Sequence, residues 1–143
     1  MFGGPKRQTE KDVIAVIEEY KKANTLEKRR SHMKIKEDAN GNKMDEKEYA
    51  PVIALSFEPN LALPKKRFLF GASSPFANVS SYIYKSLKAE GKVIDESQAI
   101  TCFVNGKHMP SSDTLLSVIK KEYADPEDGN IYIVYCPQVA FGA

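Results

Sequence analysis

Apolar positions along this chain change their spacing several times, and each change predicts a new element. Val13, Val16, Ile17 and Tyr20 recur at helical spacing behind Thr9-Glu10-Lys11-Asp12, which has the form of a capping box, so a helix is expected from about Glu10 to Lys22. Its apolar stripe must bury against something, but nothing local says what. Between Thr25 and Glu48 the pattern dissolves: Glu27-Lys28-Arg29-Arg30 gives way to Asn40-Gly41-Asn42, predicting one short helix and then a long exposed loop. Val52 to Phe57 and Arg67 to Phe70 read as two strands, joined by an irregular stretch from Glu58 to Pro64 in which Pro59 and Pro64 forbid regular structure.

Ser74-Pro75 supplies an N-cap and a proline for the first helical position, after which Phe76, Val79, Ile83 and Leu87 share one face. Gly91 ends that helix. Ile100 to Val104 reads as a strand closed by the turn pair Asn105-Gly106, with a short return strand from Lys107 to Met109. Asp113 is expected to cap a further helix carrying Leu115, Leu116, Ile119 and Tyr123, which Pro126 to Gly129 terminate. Ile131 to Tyr135 is a β-branched, apolar final strand. From Val52 onward the order is strand, strand, helix, strand, short strand, helix, strand, an α+β arrangement. Three parts are expected: an N-terminal helical and loop extension over 1–50, a folded domain over 51–136, and a flexible tail over 137–143.

A chain of 143 residues supplies one core, not two. With 42% hydrophobic and 28% charged residues and a net charge of +2, it is neither disordered throughout nor built for a polyanion. Lys28 to Lys36 and Lys65 to Arg67, with Phe68 and Phe70 nearby, could form a nucleic-acid surface; the near-neutral charge and the lack of an RNP-type motif argue against that partner. Cys102 and Cys136 sit in apolar runs without Cys-x-x-Cys spacing and read as small buried hydrophobes in a reducing compartment. The polar start, the short apolar run Val13 to Ile17 and Phe2 in place of glycine predict no signal peptide or myristoyl anchor, hence a cytoplasmic protein. Catalysis finds little footing: His32 and His108 have no triad partners, there is no glycine-rich phosphate loop, and no metal or cofactor is expected.

The last strand leads into Cys136-Pro137-Gln138-Val139-Ala140-Phe141-Gly142-Ala143. A residue without Cβ near the end of a tail can pass through a narrow enzyme channel and let its carbonyl be approached closely, so Gly142 is the candidate reactive residue. The bland alternative is an ordinary frayed terminus.

The element order and the residues together resemble the autophagy ubiquitin-like modifiers, whose β-grasp ends in an exposed tail. Phe57-Glu58-Pro59, Lys65-Lys66-Arg67-Phe68, Ser74-Pro75-Phe76-Ala77-Asn78-Val79, Phe103-Val104-Asn105, Met109-Pro110-Ser111-Ser112-Asp113, Asp128-Gly129 and Tyr135-Cys136 through to Gly142 resemble, in order, the autophagy-related protein 12 branch. Leu26-Glu27-Lys28-Arg29-Arg30, Pro51-Val52-Ile53 and a residue beyond the terminal Phe-Gly resemble the lipid-conjugated branch, autophagy-related protein 8 and its GABARAP-like members. Against that branch, its proline after the second strand is here Gly71, and its aromatic residue after the Asp-Gly turn is here Asn130. The resemblance implies a modifier, not an enzyme, acting at the autophagosome precursor membrane through its partners. Gly142 would be activated by autophagy-related protein 7 and conjugated to autophagy-related protein 5, with conjugating enzymes of the kind of autophagy-related proteins 10 and 3. The conjugate would promote lipidation of the GABARAP-like modifier. In the rival branch Gly142 itself would receive phosphatidylethanolamine after a cysteine protease removes Ala143. If Ala143 stays, engagement of protein 5 would be non-covalent. Lys66, Arg67 and Phe68 would contact partner enzymes, and Phe141 would be a recognition residue beside Gly142 or fold back as packing.

Overall fold

The computed structural model describes residues 10–30, 48–92 and 100–137. The Thr9 capping box, the loop expected around Asn40, His32 and the tail residues Phe141, Gly142 and Ala143 lie outside them.

Val52 to Leu55 is apolar at every position, so a strand there must be covered on both faces. It is. Strand β1 (Tyr49–Ser56) lies inside a four-stranded sheet of order β2-β1-β4-β3, antiparallel to β2 (Arg67–Gly71) and parallel to β4 (Ile131–Pro137), while β3 (Ile100–Val104) runs antiparallel to β4 at the far edge. Alternation then divides the side chains. Val52, Ala54, Ile131, Ile133 and Tyr135 turn to an inner core shared with α3 (Phe76–Ala89) and α4 (Leu116–Tyr123), whereas Ile53, Leu55, Tyr132 and Val134 face outward.

The outward face answers the question the first helix raised. Helix α1 (Glu10–Ala23) lays Val13 and Ile17 on it, with Val16 and Tyr20 at the margin, and the Tyr20 and Tyr132 rings meet edge-on at 6.1 Å. The N-terminal helix is thus the third layer of the domain, and the short α2 (Leu26–Arg30) follows it.

Neither expected side-chain cap forms. The residue ahead of α3 is Pro75 and the residue ahead of α4 is Leu115, and neither makes a side-chain capping bond; the Asp113 carboxylate instead accepts from the Ser111 hydroxyl at 2.8 Å. The two helix starts satisfy each other through the backbone. Phe76 and Ala77 N–H donate to the carbonyls of Thr114 and Ser112, while Leu116 and Ser117 N–H donate to those of Ser74 and Ala72. Adjacent connections that bridge at Pro75 and Leu115 make Ser74 and Asp113 unnecessary as caps.

The expected return strand over Lys107 to Met109 shrinks to one bridge, between Val104 and His108. Asn105 and Gly106 take the left-handed turn that their identities predict, with φ of 55° and 80°. In this register the next rung would set Pro110 opposite Cys102, and proline has no N–H to give. Gly106 is also where α1 comes closest: an added Cβ would lie 2.8 Å from Cγ1 and 3.2 Å from the backbone N of Ile14. Gly106→Ala is therefore expected to cost roughly 1–3 kcal/mol for the left-handed backbone alone, and more as α1 is displaced; urea unfolding, with loss of the Tyr20 to Tyr132 contact followed by NMR, measures it.

Candidate functional site

Of the residues marked in the sequence, Lys66, Arg67 and Phe68 lie at the start of the edge strand β2, while Phe141, Gly142 and Ala143 lie outside the described residues. Because β2 alternates, Phe68 and Phe70 share the α3 side, and Arg67 and Leu69 the α1 side. Phe68 is only 7% exposed and belongs to the inner core, its ring 5.2 Å from that of Tyr82 and capped by the Lys65 ammonium at 5.4 Å. Its expected place on a partner surface is corrected: the apolar groups that reach solvent here are Leu69 and Tyr82. The period-two alternation from the buried β1 partner would have shown this.

Lys66 and Arg67 are half-buried. Lys66 donates to the Leu63 carbonyl at 3.1 Å, holding the connection before β2 in place. Pro64, Lys65, Lys66 and Arg67 form one wall of a groove of about 650 Å³ whose other wall is the end of α1, Tyr20, Ala23 and Asn24. Among the described residues three cations and no carboxylate line it, a charge that suits an acidic segment.

The strand that carries the tail is firmly anchored. Phe57 N–H donates to the Tyr135 carbonyl at 2.9 Å, the Tyr135 hydroxyl donates to the Leu61 carbonyl at 2.7 Å, and pairing with β3 continues to the rung Ile100–Pro137. The tail therefore starts from a rigid root at the end of the sheet where β1 finishes and β2 begins.

Sequence reasoning missed a polar cluster at the other end of β4. Arg29, 7% exposed, pairs with the fully buried Asp128 carboxylate at 2.7 Å, and the same carboxylate accepts from the Tyr132 hydroxyl at 2.5 Å and, through its other oxygen, from the Asn130 N–H at 2.9 Å. Asn130 Nδ2 donates to the Arg29 carbonyl at 2.9 Å, Arg30 Nε to the Glu127 carbonyl at 2.8 Å, and Lys21 pairs with Asp125. Partial burial would push the Asp125 carboxyl up, but Lys21 and the Glu127 and Asp128 amides outweigh it and hold it below its usual range. These links from α1 and α2 to this end of the sheet all land between Asp125 and Asn130. Nothing near Arg29 in the sequence signals its burial, because its partner is 99 residues away.

Both cysteines are buried and free. Burial pushes the Cys102 thiol from 9.0 up to about 12 and the Cys136 thiol up to about 11, and raises the Tyr135 hydroxyl to about 12. All three are raised, so the fold keeps the protonated forms. The stability this provides is complete below about pH 9, where the unfolded thiols ionise, and is lost as pH rises toward 11 to 12. We expect the melting temperature to fall steadily over that window, and a thiol reagent at pH 8 to modify the native chain only at the rate of unfolding; rapid modification of the folded chain would contradict the burial. His108 stacks on Tyr123 with ring centres 4.4 Å apart, a packing role. Among the described residues no group of three histidine, cysteine, aspartate or glutamate side chains is placed to hold a metal, and no helix is long and apolar enough to cross a membrane.

A mixed sheet with the central strands parallel, helices α3 and α4 on one face and a strand leading into a C-terminal tail is the ubiquitin-like β-grasp. The family pattern described as Ubiquitin-like autophagy protein Apg12 matches residues 57–142, more than half of the chain, and the chain belongs to that family of ubiquitin-like autophagy modifiers. It is also similar to an autophagy-related protein 8-like protein of Dictyostelium discoideum, 37% identical over 79 residues that cover 55% of this chain and 60% of the relative. The chain thus matches less than two thirds of that relative's length. Among solved structures, Trypanosoma brucei ATG8 superposes with a TM-score of 0.62 over 86% of this chain and 97% of that one at 21% identity, a likeness of fold.

Proposed function

We propose that this chain is a protein modifier activated at Gly142 and joined to autophagy-related protein 5, the conjugate then promoting lipidation of the GABARAP-like modifier. The observation that carries the reading is the family match, which runs through the tail to residue 142. The Gly142 carboxylate is adenylated by autophagy-related protein 7 at the expense of ATP, releasing pyrophosphate; the enzyme's cysteine displaces AMP to give a thioester. A conjugating enzyme, autophagy-related protein 10, takes over the thioester, and a lysine amine of protein 5 displaces the thiolate to leave an isopeptide bond. The chain supplies the carboxylate and the recognition surface while the enzymes supply the catalysis. Lys66 and Arg67, in a groove lined by cations, would receive an acidic segment of these enzymes or of autophagy-related protein 3. Ala143 has to be removed first, by a cysteine protease; if it stays, protein 5 is held without a covalent bond. The protein then works in the cytoplasm and reaches the autophagosome precursor membrane through its partners.

The second reading, a GABARAP-like modifier that itself receives phosphatidylethanolamine, is favoured by the Dictyostelium relative. Against it stand Gly71 and the wholly buried Asn130, which departs from the aromatic residue of that branch. One measurement separates the readings. The protein recovered from its own starved cells is digested and its C-terminal peptide weighed. A branched peptide joining Gly142 to a lysine supports conjugation to protein 5, a phosphatidylethanolamine adduct supports the second reading, and an unmodified pool ending at Ala143 under every condition removes both.

A further inference from the structure

At its start β2 meets the basic groove; at its end it meets a second concavity of opposite character. This pocket, about 500 Å³, lies where the beginning of β1, the turn after β2 and the first residues of α4 converge. Two of its backbone amides are already paired, Ala72 N–H donating to the Glu48 carbonyl at 2.7 Å and Ser117 N–H to the Ala72 carbonyl at 2.8 Å. Side chains are what it offers a visitor. Leu115, 43% exposed, and the half-buried Tyr49 provide apolar walls, the exposed Ser73 and Ser117 hydroxyls a polar rim, and Glu48 the one charged group among the described residues of the lining. The nearby Lys120 ammonium is turned to the Tyr49 carbonyl at 3.0 Å. One turn along α4 the exposed face continues as Val118, also 43% exposed, and then Glu122. The result is an apolar strip that starts at the Glu48 carboxylate and ends where the exposed Lys121 and Glu122 stand side by side, whereas the groove at the other end of β2 is lined, among the described residues, by the cations Lys65, Lys66 and Arg67 and by no carboxylate.

We propose that this pocket is a docking site for a peptide segment of a partner protein in which apolar side chains flank a lysine or arginine, the apolar groups resting on Leu115 and Val118 and the cation on Glu48. Charge complementarity selects that occupant: an acidic segment is repelled here and accommodated at the basic groove, so the two ends of β2 sort partners by sign. The site does not depend on conjugation at Gly142.

The test is a titration of the isotope-labelled full chain with the blocked pentapeptide Gly-Leu-Arg-Leu-Gly, followed by NMR. The amides of Gly71, Ala72, Ser73 and Ser117 are expected to shift, and counterparts with glutamate for arginine, or glycine for both leucines, to leave them unmoved. Glu48→Lys, at an exposed position, is expected to weaken binding about tenfold, since it removes an attraction and adds a repulsion. It should also admit the glutamate peptide. Leu115→Ser tests the apolar half separately. Shifts that survive Glu48→Lys, shifts equal for arginine and glutamate peptides, or no shifts at these amides overturn the proposal. The same amides moving on simple dilution of the chain would assign the pocket to a second copy instead, and that also overturns it.

Discussion

Gly142→Val is expected to abolish conjugation while leaving the domain folded. In the proposed reaction the carbonyl of residue 142 is the atom that the activating enzyme and then the conjugating cysteine would have to reach, and a β-branched side chain beside it would crowd each approach. A misplacement of about 1 Å at a reacting centre costs on the order of 100-fold in rate, and the tail meets such centres in succession. A chain ending at residue 142 as glycine or as valine, incubated with the activating enzyme and ATP, gives a thioester band for the glycine form only. Unfolding midpoints should coincide, because β4 is anchored through Tyr135 and Pro137, upstream of the change. Thioester formed equally by both would dismiss Gly142 as the reactive residue.

Arg29→Ala is expected to carry the largest stability cost among surface-helix positions, about 3–5 kcal/mol, because it leaves the Asp128 carboxylate buried without a counter-charge. With a whole domain stable by about 5–15 kcal/mol, much of the fold's margin rests on one guanidinium. The charge itself can be separated from the packing. Asp128→Asn keeps an oxygen for the Asn130 N–H and removes the orphaned charge, so adding it to Arg29→Ala should restore roughly 1–3 kcal/mol where independent sites would simply add their losses. Strictly additive losses in urea would mean that the pair contributes nothing as a pair.

What could be read from the residues, and what could not, follows the range of the forces involved. The stripes of α1, α3 and α4 and the apolar runs of β1, β3 and β4 were legible because burial repeats with the backbone's own period. The left-handed pair Asn105-Gly106 was legible because few residue types tolerate that backbone. Ser74 and Asp113 misled, since a residue suited to capping is idle when a carbonyl from a distant connection arrives first. The return strand after Gly106 failed on one missing N–H at Pro110. Phe68 was placed on the surface by resemblance, although the alternation against Val52 puts it inside. The seat of α1 and the burial of Arg29 had no local signal, because the residues that receive α1 lie on β1 and β4, far along the chain, and the partner of Arg29 comes 99 positions later. As for the site, Lys66 and Arg67 do line one groove, while Phe141 and Gly142 rest on the family match and on chemistry, and Ala143 lies beyond that match.

The exchange of backbone bonds between the starts of α3 and α4 also bears on how the domain comes apart. A helix with its own side-chain cap can unravel from its first turn and leave its neighbour intact. Here the opening of either first turn strips amide partners from the other, so two helices separated by a strand share one local opening event. The bonds make motion at this joint cooperative, and the pocket beside Leu115 shares its rim with that joint.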